Sequence, residues 1–288
     1  MDVGIGIPNT VVGTTGAQLL DWARRAERAG FSSLASIGAV SFPGYEELTV
    51  FAAAGAVTER IRFQSNVLIA PARSTAELAK QAASVDQLTG GRLTLGMGVG
   101  WRTTDYQLTG RDFTRRGQLF DEQLRDLQTA WAGRPLAEGT KPVGPPVVQR
   151  PGVPLLIGGH SDAAVQRTVE FGVGWAAGGM PPDAIPPLAD KVRAAWRDAH
   201  KEGDPLIVAL AYFSLGDTLE ESRRYLLDYY GPQGDEIAEM IAGSALRSPE
   251  AIRDAIHAYA AAGVDELILD PTVSDPQQVD MVAEVVFA

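Results

Sequence analysis

Short apolar runs alternate with longer stretches in which apolar residues recur every three or four positions, and this rhythm persists along the whole chain. The short runs read as buried strands at 3–7 (VGIGI), 32–38 (SSLASIG), 61–71 (IRFQSNVLIAP), 91–100 (GRLTLGMGVG), 153–159 (VPLLIGG), 174–179 (GWAAGG), 205–215 (PLIVALAYFSL) and 265–271 (DELILDP). Helices are predicted between them. The first starts at Thr15, carries Leu19, Trp22, Ala23 and Ala26 on one face and ends at Gly30. Others cover 46–58, the segment after STAE, 116–131, 161–171 and 186–200. In STAE, Ser74 and Glu77 have the spacing of a capping box. The last full helix opens with Ser248 as N-cap and Pro249 at the first helical position, presents Ile252, Ala255, Ile256 and Tyr259 as a stripe, and ends at Gly263.

Strand and helix alternate eight times, which predicts one (β/α)8 barrel over 1–288, with a doubly wound open sheet as the alternative. An insertion with helical stretches near 220–230 and 235–241 follows the seventh strand. The Pro/Gly-rich stretch 133–152 reads as a surface excursion, because the rhythm resumes after it. In a barrel, the loops after the strand C-termini form the active face. The alternating glycines of TGGRLTLGMGVGWR (89–102) end the fourth strand there. They are not a dinucleotide fingerprint: G-x-G-x-x-G from Gly96 requires glycine at Trp101, and from Gly98 at Thr103.

Composition narrows the chemistry. The 288 residues carry a net charge of −11, which argues against a nucleic acid or an anionic membrane surface as partner. There are no cysteines, so disulfides and thiol nucleophiles are excluded. The N-terminus has no signal-peptide pattern, and the longest apolar run, 206–213, is too short to cross a bilayer, so a cytoplasmic protein is expected. The lysines Lys80, Lys141, Lys191 and Lys201 lie in predicted helices or the excursion, away from any site for a Schiff base. Of the histidines only His160 is near a strand end, which disfavours a metal site. Asp270 and Asp105 are the acids available, and neither has an evident carboxylate partner for glycoside hydrolysis.

A mouth this poor in reactive groups points to a bound cofactor. GGHSDAA (158–164) offers close-approach glycines and a helix start at Ser161 for a phosphate; a plain N-cap for Ser161 and a solvated loop position for His160 are the alternatives.

The segments 52–102, 110–124 and 153–175, with TERI, LAKQAASVDQLTGGRL and GVGW, resemble the bacterial luciferase-like flavin- or deazaflavin-dependent oxidoreductases. The resemblance implies a luciferase-like TIM barrel that binds FMN or coenzyme F420 at its C-terminal mouth. It implies a non-proline cis peptide at Asn66–Val67 backing the ring, and a phosphate site formed by Gly98, Gly100, Trp101, Arg102, Gly159, His160 and Ser161. Two departures stand out. Val99 replaces an arginine of some members, leaving Arg102 or backbone alone for the phosphate. Ser36-Ile37-Gly38 replaces the acidic residue or histidine that many carry after the second strand, so no catalytic residue is assigned.

The substrate pocket comprises Asn9, Phe42, Tyr45, Trp101, Tyr106 and Tyr212, an aromatic and mostly uncharged cleft for a small organic molecule; Tyr212 reads equally as core filling. Two mechanisms stay open: a monooxygenase using reduced FMN from a separate flavin reductase, or an F420-dependent reductase or dehydrogenase. A flavin-binding barrel with little catalysis and a cofactor-free lyase are the alternatives. Family members often pair, which implies a homodimer.

Overall fold

The computed structural model describes residues 1–287. Its strands are β1 (Asp2–Gly6), β2 (Ser33–Ser36), β3 (Arg62–Ser65), β4 (Leu68–Ile69), β5 (Leu93–Gly98), β6 (Leu155–Gly158), β7 (Gly174–Gly178), β8 (Leu206–Phe213) and β9 (Glu266–Pro271). Every pairing is parallel. β1 joins β2 and β9, and β3 joins both β2 and β5, so the sheet closes on itself. β4 also pairs with β5. β3 and β4 are therefore two parts of one barrel strand, and the expected eight-stranded barrel is the architecture. The break falls at Asn66–Val67, whose peptide is cis, as the resemblance implied.

Strands buried on both faces read as nearly continuous apolar runs, and their residues divide between two clusters. Ala35, Ile37, Leu156, Ala176, Val208, Leu210, Tyr212 and Ile268 fill the barrel. Trp22, Phe51, Phe63, Phe120, Trp131 and Trp175 belong to the outer layer between strands and helices.

The helices are α1 (Gly16–Ala29), α2 (Glu47–Gly55), α3 (Thr75–Leu88), α4 (Thr103–Thr109), α5 (Arg116–Trp131), α6 (Asp162–Phe171), α7 (Ile185–Asp198), α8 (Leu219–Tyr230), α9 (Asp235–Ser244), α10 (Pro249–Ala261) and α11 (Gln277–Val286). α1 begins with a capping box between Thr15 and Gln18. The box expected of Ser74 and Glu77 does not form. Ser74 is the N-cap of α3 but makes no side-chain cap bond, and both residues line a cavity instead. In α10, Ile252 and Tyr259 are buried while Ala255 and Ile256 are only partly so.

Two helices were not anticipated. α4 is short and mostly polar, so its stretch reads as loop. α11 packs against α1, with Val279 and Val282 in the outer core and Arg25 paired to Asp280. Among the described residues no helix is long and apolar enough to cross a membrane.

Candidate active site

The alternating glycines have a steric cause. In a strand, every second residue faces the same side, and the neighbouring chain from Ser65 to Ile69 lies flush against that side of β5. A methyl at Gly96 would stand 1.9 Å from the Ser65 carbonyl oxygen, and one at Gly98 3.0 Å from Val67 Cγ2. At Gly100 it would stand 2.9 Å from Ile69, on a backbone with φ +65°. Across the barrel wall, a methyl at Gly158 would lie 3.1 Å from Val67 Cγ1. Val67 thus sits in a hollow that Gly98 and Gly158 leave open.

Around this hollow the strand ends carry buried polar atoms without hydrogen-bond partners among the described residues. They are both amide atoms of Asn66, Gln64 Nε2, Ser36 Oγ, Asn9 Oδ1 and Asp270 Oδ1. Buried polar groups are normally satisfied, so their concentration at the C-terminal ends of β1, β2, β3 and β9 suits a ligand with both donors and acceptors.

The insertion closes the mouth with tyrosines. Tyr225 and Tyr229, four residues apart, share one face of α8, and Tyr230 lies beside them with its ring 5.0 Å from that of Tyr229. Tyr225 shares a 2.7 Å hydrogen bond with Thr10 Oγ1, and the Tyr212 and Tyr230 hydroxyls lie 2.6 Å apart. Tyr229 meets Phe42 edge to face at 4.9 Å. Trp101 stacks on Tyr230 at 6.4 Å. Burial pushes the phenols of Tyr212, Tyr225 and Tyr229 well above the ordinary range and that of Tyr230 to about 12, so all four stay neutral.

Beside the mouth lies a cavity of about 570 Å³ whose wall includes Phe42, Tyr45, Glu46, Glu47, Arg73 and Arg111. Glu47 opens α2, and its carboxylate fills the space a side chain at Gly38 would need, 2.0 Å from the would-be methyl. Arg73 bridges Glu46 at 2.6 Å and Glu47 at 2.5 Å. Burial raises the Glu47 carboxyl above the usual range against the opposing charge of Arg73. An acid absent from the chain after the second strand is thus brought to that strand's end by the next helix. In the sequence, Glu47 is one half of an unremarkable Glu-Glu pair at a helix start. The partner that gives it meaning, Arg73, comes only through folding.

The remaining expected site residues fall into distinct settings. Asn9 is fully buried and donates to the carbonyls of Ile37 (2.8 Å) and Tyr45 (3.2 Å), tying two strand-end loops together. Tyr45 lines the cavity and donates to the Thr14 carbonyl. Tyr106 needs correction: it is 1% exposed, donates to the Val99 carbonyl at 2.6 Å and packs on Phe113, so it supports the β5 loop from beneath instead of facing the cleft.

Arg102, expected as a phosphate cation, is 7% exposed; its guanidinium donates to the Tyr229 carbonyl and lies 4.4 Å from the Trp101 ring. Gly159, at φ +124°, turns the chain after β6 and accepts from Trp175 Nε1. His160 is exposed, 6.4 Å from the Trp175 ring. Ser161 caps α6, accepting from the Ala164 amide at 3.3 Å. Asp105, noted only as an available acid, accepts from the Ser41 amide and hydroxyl at 2.8 and 2.6 Å, anchoring the loop that carries Phe42.

A closed parallel barrel with its catalytic-face mouth roofed by an insertion is the build of a small-molecule enzyme, and comparison with known proteins places it. The chain belongs to the luciferase-like monooxygenase family, whose profile matches residues 1–284; the family is one of oxidoreductases. An uncharacterised protein of Mycobacterium tuberculosis is 32% identical over 207 residues, covering 62% of this chain and 71% of that protein. The FMNH2-dependent dimethylsulfone monooxygenase of Pseudomonas putida is 27% identical over 222 residues, 72% of this chain and 60% of that enzyme. Among solved structures, an F420-dependent secondary alcohol dehydrogenase in complex with an F420–acetone adduct shares the fold with a TM-score of 0.79 at 16% identity, over 99% of this chain and 97% of that one.

Proposed function

We propose that the protein is an oxidoreductase that binds FMN or coenzyme F420 in the barrel mouth and acts on a small organic substrate. The observation that carries this reading is the glycine hollow under Val67 beside the unsatisfied amide of Asn66 and the free Nε2 of Gln64. A flat ring with a polar edge matches such a surface: the apolar floor packs on the face, and the amides complete the hydrogen bonds of the edge. When bound, the ring supplies two-electron chemistry, toward dioxygen as reduced FMN or as hydride transfer from or to F420.

The protein's own residues bind, orient and shield. Asn66 and Gln64 serve the ring edge. Gly159, His160 and Ser161, with the first amides of α6, serve the phosphate through backbone donors, as does the loop Gly98–Gly100–Trp101. Because Arg102 is engaged with Tyr229, the phosphate site depends on main chain more than on this cation. Phe42, Tyr45 and Tyr212 bound the substrate space, and the α8 tyrosines exclude water from it. Glu47 is the acid closest to the position where the second strand lacks one.

In this reading the chain works in the cytoplasm as a homodimer, with a separate flavin reductase as donor in the FMN case. Titration of the purified protein with FMN and with F420, followed by fluorescence, tests the proposal. Tight binding of one cofactor and its turnover in reduced form support it. Binding without turnover returns the protein to the non-catalytic alternative, and no binding of either refutes the reading.

A further inference from the structure

Asp270 lies one residue from the end of β9, on the inner wall of the barrel. Ile268, two residues before it, belongs to the interior cluster, and the alternation of strand side chains turns Asp270 the same way. Its register partner on β8 is Tyr212, also interior. The carboxyl leans over β1 into space that exists because residue 6 is glycine: a methyl there would be 2.0 Å from Asp270 Oδ1 and 2.8 Å from its Cγ. Asp270 is 2% exposed, and its Oδ1 has no hydrogen-bond partner among the described residues.

The titratable groups facing this region are phenols, Tyr212 from β8 and Tyr225, Tyr229 and Tyr230 from α8, all held neutral by burial. β1 presents only Gly4 and Gly6. The other acid on β9, Glu266, is four residues down the strand and accepts from the Ser32 and Ser33 hydroxyls. Arg102, the cation of the neighbouring aromatic stack, is committed to the Tyr229 carbonyl.

A carboxylate placed here would have little contact with water and no cation to stabilise it, and burial pushes the ionisation of the carboxyl well above the ordinary range. Among the phenols and the serine hydroxyl of this inner wall, a neutral carboxylic acid carries the most acidic O–H, the one most readily given up as a proton.

We propose that Asp270 is the acid of the site, a buried carboxyl beside Tyr212 that donates its O–H to a carbonyl oxygen or ring nitrogen of the molecule bound in the barrel mouth. Where the reaction develops negative charge on that atom, the proton passes from the Asp270 carboxyl oxygen to it, and the carboxylate left behind regains a proton from solvent. The ligand class is a neutral molecule bearing an acceptor on which negative charge develops during the reaction, a state that a phenolate oxygen imitates; a molecule that presents a permanent carboxylate or sulfonate to this point finds no uncommitted cation. The proposal deepens the oxidoreductase reading and rests on it for what occupies the mouth.

The test uses the full chain as wild type, D270N and D270L, with para-nitrophenol as an acceptor probe whose colour separates phenol from phenolate. Wild type binds the phenolate about tenfold more tightly than D270L, the worth of one charge-assisted hydrogen bond. That affinity falls as pH rises through the ionisation of the carboxyl, because the donor is lost. D270N keeps a donor but no titrating proton, so its affinity shows no such fall. Wild-type affinity in D270L, or the wild-type pH profile in D270N, overturns the proposal.

Carbon-13 aspartate NMR of wild type gives a reading that does not depend on how the variants fold. One aspartate carboxyl remains protonated through neutral pH, and full ionisation of all of them overturns the assignment. FMN and F420 titrations on the same samples judge the oxidoreductase reading separately: if wild type binds neither, that reading fails while the phenolate profile still decides the role of Asp270.

Discussion

Val67 rests on Gly98, with so little clearance that a single methyl at residue 98 would come 3.0 Å from its Cγ2. Two residues earlier on the same strand, a methyl at Gly96 would meet backbone, the Ser65 carbonyl, at 1.9 Å. The two glycines therefore answer differently to alanine. Gly98→Ala is absorbed by a shift of Val67, costs about 1 kcal/mol of stability, and weakens cofactor binding about tenfold because the floor of the hollow rises. Gly96→Ala has no side chain to displace and destabilises by about 3 kcal/mol or more. Denaturant unfolding and fluorescence titration of both variants check this; equal effects on stability would contradict the geometry.

Arg73 and Glu47 form an ion pair whose side chains are only 16% and 5% exposed. Removing the cation strands a buried carboxylate beside Gly38, so Arg73→Met costs about 3–5 kcal/mol at neutral pH. The double variant Arg73→Met/Glu47→Gln recovers much of that loss. A double-mutant cycle by chemical denaturation measures it, and simple additivity would show that the two do not act as a pair.

Asp270 makes stability depend on pH in a defined sense. Its carboxyl ionises in the folded protein only well above the value it has in the unfolded chain. The unfolded state therefore loses the proton first. The folded state is favoured below the unfolded ionisation, and that advantage is lost as pH rises toward the folded one. Each tenfold elevation corresponds to about 1.4 kcal/mol of destabilisation at neutral pH. Asp270→Asn removes it, so the variant unfolds at higher denaturant than wild type at neutral pH, and the difference vanishes in acid.

Ser161 caps α6 and also stands where the cofactor phosphate is proposed to bind. Ser161→Ala costs about 1 kcal/mol of stability. It also weakens FMN while leaving riboflavin, which has no phosphate, unchanged. Parallel titrations separate the two roles, and equal loss for both ligands would remove the phosphate assignment.

Tyr106 gives its hydroxyl to Val99 inside the protein. Tyr106→Phe therefore lowers stability by about 1 kcal/mol and leaves ligand affinities unchanged. A change in affinity without a change in stability would return the residue to the cleft.

The barrel was legible because its eight strands are short, apolar and regularly spaced, and a parallel strand buried on both faces leaves that mark in any sequence. The helix from Arg116 to Trp131 has its predicted bounds, since its apolar period is long enough to be unambiguous. α4 and α11 escaped notice: seven residues carry too little periodicity, and α11 owes its burial to α1 at the other end of the chain. The break at Asn66–Val67 was legible only through resemblance, because the polar triplet Gln64-Ser65-Asn66 does not by itself mark a cis peptide or divide a strand.

The candidate site divides along the same line. Local rules reached Ser161 as an N-cap and the glycines as close-approach positions, because a cap and a missing side chain are properties of a few neighbouring residues. Tyr106 looked like a cleft residue and proved internal, since the direction of a side chain depends on the packing of the loop that carries it. The pairing of Arg73 with Glu47, the tyrosines of α8 over the mouth, and the solitude of Asp270 are relations between residues far apart in the chain. Sequence alone determined the alternation that makes a barrel and the scarcity of reactive groups at its mouth, because both follow from which residues occur and how they are spaced. Tertiary structure decided which acid is paired, which is left alone and which glycine meets backbone, because charge and contact act through space and burial is known only once the chain has closed.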